Sequence, residues 1–84
     1  INPHIKPYAY QNTVYIVKAG DIISISTQNG KILSKKHISN QKIVDIIGYK
    51  TYILATNTSN KLYKYNIAEN KVQTLSSFAE KVSE

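Results

Sequence analysis

The sequence predicts an all-β fold, an antiparallel meander of about eight short strands that forms two four-stranded units. From Thr13 to about Leu75, β-branched and aromatic residues follow the period of two that strands require, without helical spacing. Apolar runs recur about every nine or ten residues, with turn-forming residues between them. The connections are too short for the helix that parallel strands need, so neighbouring strands are expected to pair as hairpins.

The strands are predicted at roughly 4–10, 13–18, 22–27, 31–37, 42–48, 51–56, 61–66 and 71–75. Pro3 and Pro7 each remove a backbone donor from the first of these, which is therefore expected to be an edge strand or an irregular lead-in. The residues Ser77-Phe78-Ala79-Glu80 have the form of a capping box, which predicts a short helix over 78–84, with a frayed tail as the alternative.

Turns are predicted where residues tolerate positive φ. The clearest is Thr27-Gln28-Asn29-Gly30, and Asn70 takes the place of Gly30 in the second unit. The loops at 19–21, 28–30, 48–50 and 57–60 are expected to be free for recognition. The predicted core consists of Val14 with Ile16, Ile23 with Ile25, Ile43 with Val44, Ile46 with Ile47, and Ile53 with Leu54.

The chain contains an internal repeat. Tyr15-Ile16-Val17 returns as Tyr52-Ile53-Leu54, and the run from Ile23 to Ile32 returns more loosely as Tyr63 to Val72. The offsets of 37 and 40 residues fall in the range of four-stranded blade arrays. We therefore divide the single unit 1–84 into a first repeat at 1–38, a second at 39–76 and a tail or short helix at 77–84.

Both units, Thr13 to Ile32 and Ile43 to Val72, resemble blades of the WD40-like and PQQ-like (quinoprotein-type) β-propellers. They share the order of apolar strand, short loop and apolar strand, and then a turn ending in Gly30-Lys31 or Asn70-Lys71. The Trp-Asp and Gly-His pairs and the closing tryptophan of those families do not occur, so the resemblance carries over no cofactor residues. Two blades do not close a ring, because propellers have at least four. Further blades in a longer chain, association of copies, and a small closed barrel or sandwich are the alternatives.

Composition limits the function classes. The net charge of +6 comes from eleven lysines without arginine, the side chain that specific nucleic-acid readers favour, so no specific nucleic acid is expected as a partner. There is no cysteine, and no apolar stretch of membrane-spanning length or visible signal peptide occurs. The compartment stays open.

No catalytic, cofactor-binding or metal-binding residues are predicted, and the chain is expected not to be an enzyme. His4 and His37 lack metal-ligand spacing, and Asp21 and Asp45 are assigned to a turn and a solvent-facing position. Nucleophile motifs and glycine-rich phosphate loops do not occur.

Two groups are the candidate interaction residues: the basic set Lys31, Lys35, Lys36 and Lys42, and the pair Tyr63 and Tyr65, which share one strand face. The lysines are alternatively a solvated edge, and the tyrosines alternatively fill the space between blades. We predict a non-enzymatic protein-interaction or scaffold module that contacts a protein partner, further blades of its own parent protein or a second copy. The alternatives are part of an enzymatic or cofactor-binding propeller whose active residues lie elsewhere, and a weak lysine-driven nucleic-acid binder.

Overall fold

A computed structural model of the chain describes residues 5–77, which form two four-stranded antiparallel sheets without a helix. The predicted all-β meander is confirmed, whereas the helix predicted over 78–84 lies outside the described residues. The first sheet contains β1 (Tyr8–Tyr10), β2 (Thr13–Lys18), β3 (Asp21–Ser26) and β4 (Ile32–His37) in that order. The second sheet contains β5 (Ile43–Tyr49), β6 (Tyr52–Asn57), β7 (Lys61–Asn66) and β8 (Lys71–Ser77). The repeat boundaries at 38/39 and 76/77 stay a prediction.

The hairpin turns lie at residues that adopt a left-handed backbone conformation with positive φ. Gly30 has a φ of 72° and its amide donates to the Ser26 carbonyl at 2.9 Å, as expected for the turn before β4. Asn70 has a φ of 55° in the corresponding turn before β8, so asparagine does replace glycine there. Gln11 and Asn12 both have positive φ and form a two-residue loop between β1 and β2.

The two sheets pack face to face on one apolar core. We call the packed sides the inner faces, and the sides that residues 5–77 leave uncovered the open faces. The first sheet buries Tyr15, Val17 and Ile22 in this core, with Ile22 only 1% exposed. From the second sheet the core receives Ile43, Ile46, Ile53, Ala55 and Tyr65.

Four isoleucines of the predicted core are buried, three in the second sheet and Ile23 on the side of the first sheet that faces away from the second. Ile43, Ile46 and Ile53 are buried, but Val44 and Ile47 are 46% and 66% exposed. In β2 the buried residues are Tyr15 and Val17, so Val14 and Ile16 lie on the opposite, open face. Both faces of these strands are apolar, and alternation alone therefore did not identify the buried face.

A linker of residues 38–42 carries the chain from the outer edge of the first sheet to the first strand of the second. The amides of Ile38 and Ser39 both donate to the Gly20 carbonyl, at 2.9 and 3.0 Å, and the Ile43 amide donates to the Ala19 carbonyl at 2.9 Å. Gly20 is buried, and a Cβ atom there would overlap the Ser39 carbonyl oxygen. The loop at 19–21 was expected to be free for recognition, but the linker covers Gly20 and hydrogen-bonds to the Ala19 carbonyl, so only part of this loop is exposed.

The first strands of the two sheets, β1 and β5, also contact each other. The ring of Tyr8 in β1 lies directly over Gly48 in β5, where a Cβ atom would overlap the ring. The Tyr8 hydroxyl donates to the Lys50 carbonyl at 2.8 Å. β1 is an edge strand of three residues that begins just after Pro7, in agreement with the prediction from the prolines.

Candidate functional site

The four lysines of the predicted basic set do not lie on one surface. Lys35 and Lys36 pair with Ile23 and Ile22, and they therefore project from opposite faces of β4. The Lys35 ammonium lies 3.6 Å from the Asp21 carboxylate. Lys31 is exposed in the turn before β4, and Lys42 belongs to the linker. Lys35 and Lys36 therefore do not form one anion-binding surface, and the interaction role of the four lysines stays a prediction.

Tyr63 and Tyr65 share one face of β7, and that face is the inner one. Tyr65 is 5% exposed and its hydroxyl donates to Asn70 Oδ1 at 3.1 Å. Tyr63 is half-buried, packs against the same core and accepts a hydrogen bond from Asn57 Nδ2 at 3.3 Å. Burial raises the pKa of the Tyr65 hydroxyl above its ordinary value. Both rings fill the space between the sheets, and their role in binding a partner stays a prediction.

A polar cleft of about 210 Å³ lies where the linker meets the loop between β6 and β7. Buried Asn57 joins the two segments, since its Nδ2 donates to Ser39 Oγ at 3.0 Å. Its Oδ1 accepts from the amides of Ser59 and Lys61, at 2.9 and 3.0 Å. These polar groups are therefore engaged with each other, and the cleft serves to hold the linker on the second sheet.

A histidine–carboxylate pair lies on the first sheet. His37 Nδ1 is 2.8 Å from Asp21 Oδ1 and His37 Nε2 is 3.0 Å from Asn40 Oδ1. Two oxygen acceptors favour the doubly protonated ring, so the hydrogen bond to Asp21, followed by that to Asn40, raises the pKa of His37. Among residues 5–77 no three His, Cys, Asp or Glu side chains form a cluster that could hold a metal ion.

The most distinctive surface is the open face of the second sheet. It presents a shallow groove of about 150 Å³ lined by Ile47, Leu54 and Leu62 together with Asp45, Ile46 and Thr56. Ile47 and Tyr49 are 66% and 67% exposed, although they lie in the middle and at the end of a strand. Beside the groove, the Lys64 ammonium lies 4.2 Å from the centre of the Tyr52 ring. An apolar strip of this kind is typical of a surface that packs against protein.

The repeat gives this open face a counterpart inside the molecule. Tyr52, Leu54 and Leu62 correspond to Tyr15, Val17 and Ile22 at the offsets of 37 and 40 residues. Those three first-sheet residues are 7%, 4% and 1% exposed because the second sheet covers them. The open face was not predicted from sequence, although the repeat contained the signal, since the partly exposed Tyr52, Leu54 and Leu62 each have a buried equivalent.

The first sheet has an open face as well, formed by Val14, Ile16, Ile25, Ile32 and Lys35 around Ile23, whose own side chain is buried within the sheet surface. Ile32 is 67% exposed, whereas its repeat counterpart Val72 packs against the core between the sheets. Each sheet therefore has one apolar face in the core and one largely apolar face on which the described part of the chain packs no second sheet.

No family model and no curated protein matches this chain. Among solved structures, the chain is similar to the crystal structure of the N-terminal domain of Nup159, a β-propeller, with a TM-score of 0.70. The sequence identity is 8%, and the match covers 86% of this chain and 20% of the Nup159 domain. Propeller-type blades are therefore confirmed at the level of fold, and their assignment to the WD40-like or PQQ-like kind stays a prediction. No helix within residues 5–77 is long and apolar enough to span a membrane.

Proposed function

We propose that this protein is a non-enzymatic interaction module built from two propeller-type blades, whose open faces bind further protein. The observation that carries the proposal is the pairing of exposed and buried equivalents. Tyr52 is 37% exposed where its counterpart Tyr15 is 7% exposed, and the difference is due to the sheet that covers Tyr15. The open face of the second sheet thus has the composition of a surface that is packed in the other repeat.

The similarity to part of a β-propeller supports the same proposal, because blades of that fold are covered on both faces by neighbouring blades. The chain spans 20% of the length of the similar domain. Uncovered apolar sheet faces also favour nonspecific association, so a protein partner that covers them contributes stability as well as recognition. The weak nucleic-acid alternative has less support, since Lys35 and Lys36 project from opposite faces.

The proposal is tested by placing a photoreactive benzoyl-phenylalanine at Tyr49, an exposed aromatic position on the open face. The matched control carries the same group at Gln28, an exposed residue of the turn between β3 and β4, outside the second sheet. In the cells that make the protein, irradiation is expected to join Tyr49 to one or a few polypeptides identified by mass spectrometry. Cross-links that are absent at Tyr49, or as frequent at Gln28, would overturn the interaction function.

A further inference from the structure

We infer that the partner of the second sheet's open face is the first sheet's open face of another copy of this chain, which gives a head-to-tail ring. This inference rests on the proposed function and names the occupant. The chain already contains one interface between a first and a second sheet. There, a first-sheet face with Tyr15, Val17 and Ile22 packs against a second-sheet face with Ile53 and Tyr65.

The two open faces are the repeat counterparts of that packed pair. Tyr52, Leu54 and Leu62 stand in the second sheet where Tyr15, Val17 and Ile22 stand in the first. Conversely, Ile16, Ile25 and Ile32 stand in the first sheet where Ile53, Tyr65 and Val72 stand in the second. Joining the second sheet of one copy to the first sheet of the next would therefore repeat the internal interface.

The first strands of the two sheets, β1 and β5, also follow the repeat. Tyr8 pairs with Tyr15 across β1 and β2, and Tyr49 pairs with Tyr52 across β5 and β6. Tyr8 lies over Gly48 and donates to the Lys50 carbonyl in the turn between β5 and β6. Tyr49, its equivalent, is 67% exposed and has the corresponding position at the border of the open face. A neighbouring sheet from a second copy would cover it in the same way.

The geometry favours a closed ring over an open pair. Strands of six or seven residues at about 3.3 Å per residue give each face a length of roughly 20 Å, and four strands about 4.8 Å apart give it a similar width. One contact of that size is near the lower limit of specific interfaces. A ring uses both open faces of every copy and leaves none uncovered. Head-to-tail contacts form rings when the rotation closes, and propellers have four to eight blades, which corresponds to two, three or four copies.

The inference is tested with two charge variants on strongly exposed residues, one on each open face. Ile47→Glu alters the second sheet and Ile32→Glu alters the first, with exposures of 66% and 67%. Gln28→Glu, in an exposed turn, is the control for added charge. Far-UV circular dichroism reports whether each variant keeps the β-sheet spectrum of the wild type. Native mass spectrometry and light scattering then give the mass at about 100 μM, where a micromolar contact is saturated.

The 9.5 kDa wild-type chain and the Gln28→Glu control are expected at about 19, 28 or 38 kDa, and each open-face variant as a monomer. Mixing the two open-face variants, one of them labelled with ¹⁵N, is expected to give a heterodimer, because each supplies the face that the other lacks. A monomeric wild type would overturn the inference, while cross-links from Tyr49 to a different protein would leave the proposed function standing. An Ile32→Glu variant that assembles like wild type would also overturn it, since the second-sheet faces would then be pairing with each other.

Discussion

Tyr15 and Tyr52 occupy the same place in the two repeats and have different surroundings. Both lie in the second strand of a four-stranded sheet and begin the same Tyr-Ile-hydrophobic run. Tyr15 is 7% exposed and stacks against Tyr8 with ring centres 6.2 Å apart. Tyr52 is 37% exposed and has Lys64 over its ring. The strand pattern is the same, and the burial is decided by the presence of a second sheet on one side.

Adjacent residues of one strand differ in burial in the same way. Ile53 is fully buried on the inner face of β6, and Leu54, its neighbour, is half-buried on the open face. A meander blade of this sequence therefore has two apolar sides that are fit for packing. Because the core contains one side of each sheet, stability in the isolated chain should depend on a single interface, and substitutions on the two sides should differ strongly in cost.

The largest effect is expected when Ile53 and Leu54 are each replaced by alanine. The comparison uses the Ile32→Glu background, in which ring assembly is blocked and the open face stays exposed. Ile53→Ala empties a fully buried site and should lower the free energy of unfolding by about 2–5 kcal/mol. Leu54→Ala should cost less than half as much, since its side chain already contacts solvent. Urea unfolding measures both, and equal costs would contradict the division into inner and open faces.

A second effect concerns the linker that joins the sheets. Gly20→Ala places a methyl group against the Ser39 carbonyl oxygen, so the linker must shift, at a cost of about 1–3 kcal/mol. Gly30→Ala is the matched control: its φ is 72° and nothing surrounds its Cβ position, so it should cost about 1 kcal/mol through backbone strain alone. Thermal unfolding measures the loss of stability in both variants. A larger loss in Gly30→Ala than in Gly20→Ala would contradict the prediction.

An effect of similar size is expected from the buried amide that holds the linker. Asn57→Ala leaves the amides of Ser59 and Lys61 without their acceptor and should cost about 1–3 kcal/mol. Asn29→Ala is the control and should cost less. Asn29 Oδ1 also accepts from a backbone amide, that of Lys31 at 3.0 Å, but in an exposed turn where water can replace it. Hydrogen exchange should show faster opening at Ser59 and Lys61 in Asn57→Ala. Unchanged exchange there would mean that the amide does not fix the loop.

The smallest effect is a pH dependence confined to the first sheet. The pKa of His37 is raised in the folded state by its hydrogen bonds to Asp21 and Asn40. The resulting stabilisation is complete below the unfolded value of about 6.5 and is lost as the pH rises through the folded value. The stability difference between wild type and His37→Gln should therefore shrink with increasing pH. NMR titration should give a lower pKa for His37 in Asp21→Asn, and an unchanged pKa would remove Asp21 as the cause.

Much of the strand plan was predictable from sequence because its signals are local. Seven of the predicted strands, from 13–18 onwards, agree with β2 to β8 to within one or two residues at their ends. Gly30 and Asn70 turn the chain where their tolerance of positive φ predicts. The proposed interaction surface was less predictable. The lysines and Tyr63 with Tyr65 were selected by residue type, and the exposed faces depend on what covers each sheet.

By itself, the sequence determined the all-β class, the hairpin connections and the presence of two similar four-stranded units. Alternation, turn chemistry and repeat period depend on residues near one another in the chain, which is why they can be read from it. The tertiary structure alone decided that Tyr15, Val17 and Ile22 are covered while Tyr52, Leu54 and Leu62 are open. Both sides of each sheet are apolar, so the choice is made by contacts between residues far apart in the chain, such as Tyr8 on Gly48 and the linker over Gly20.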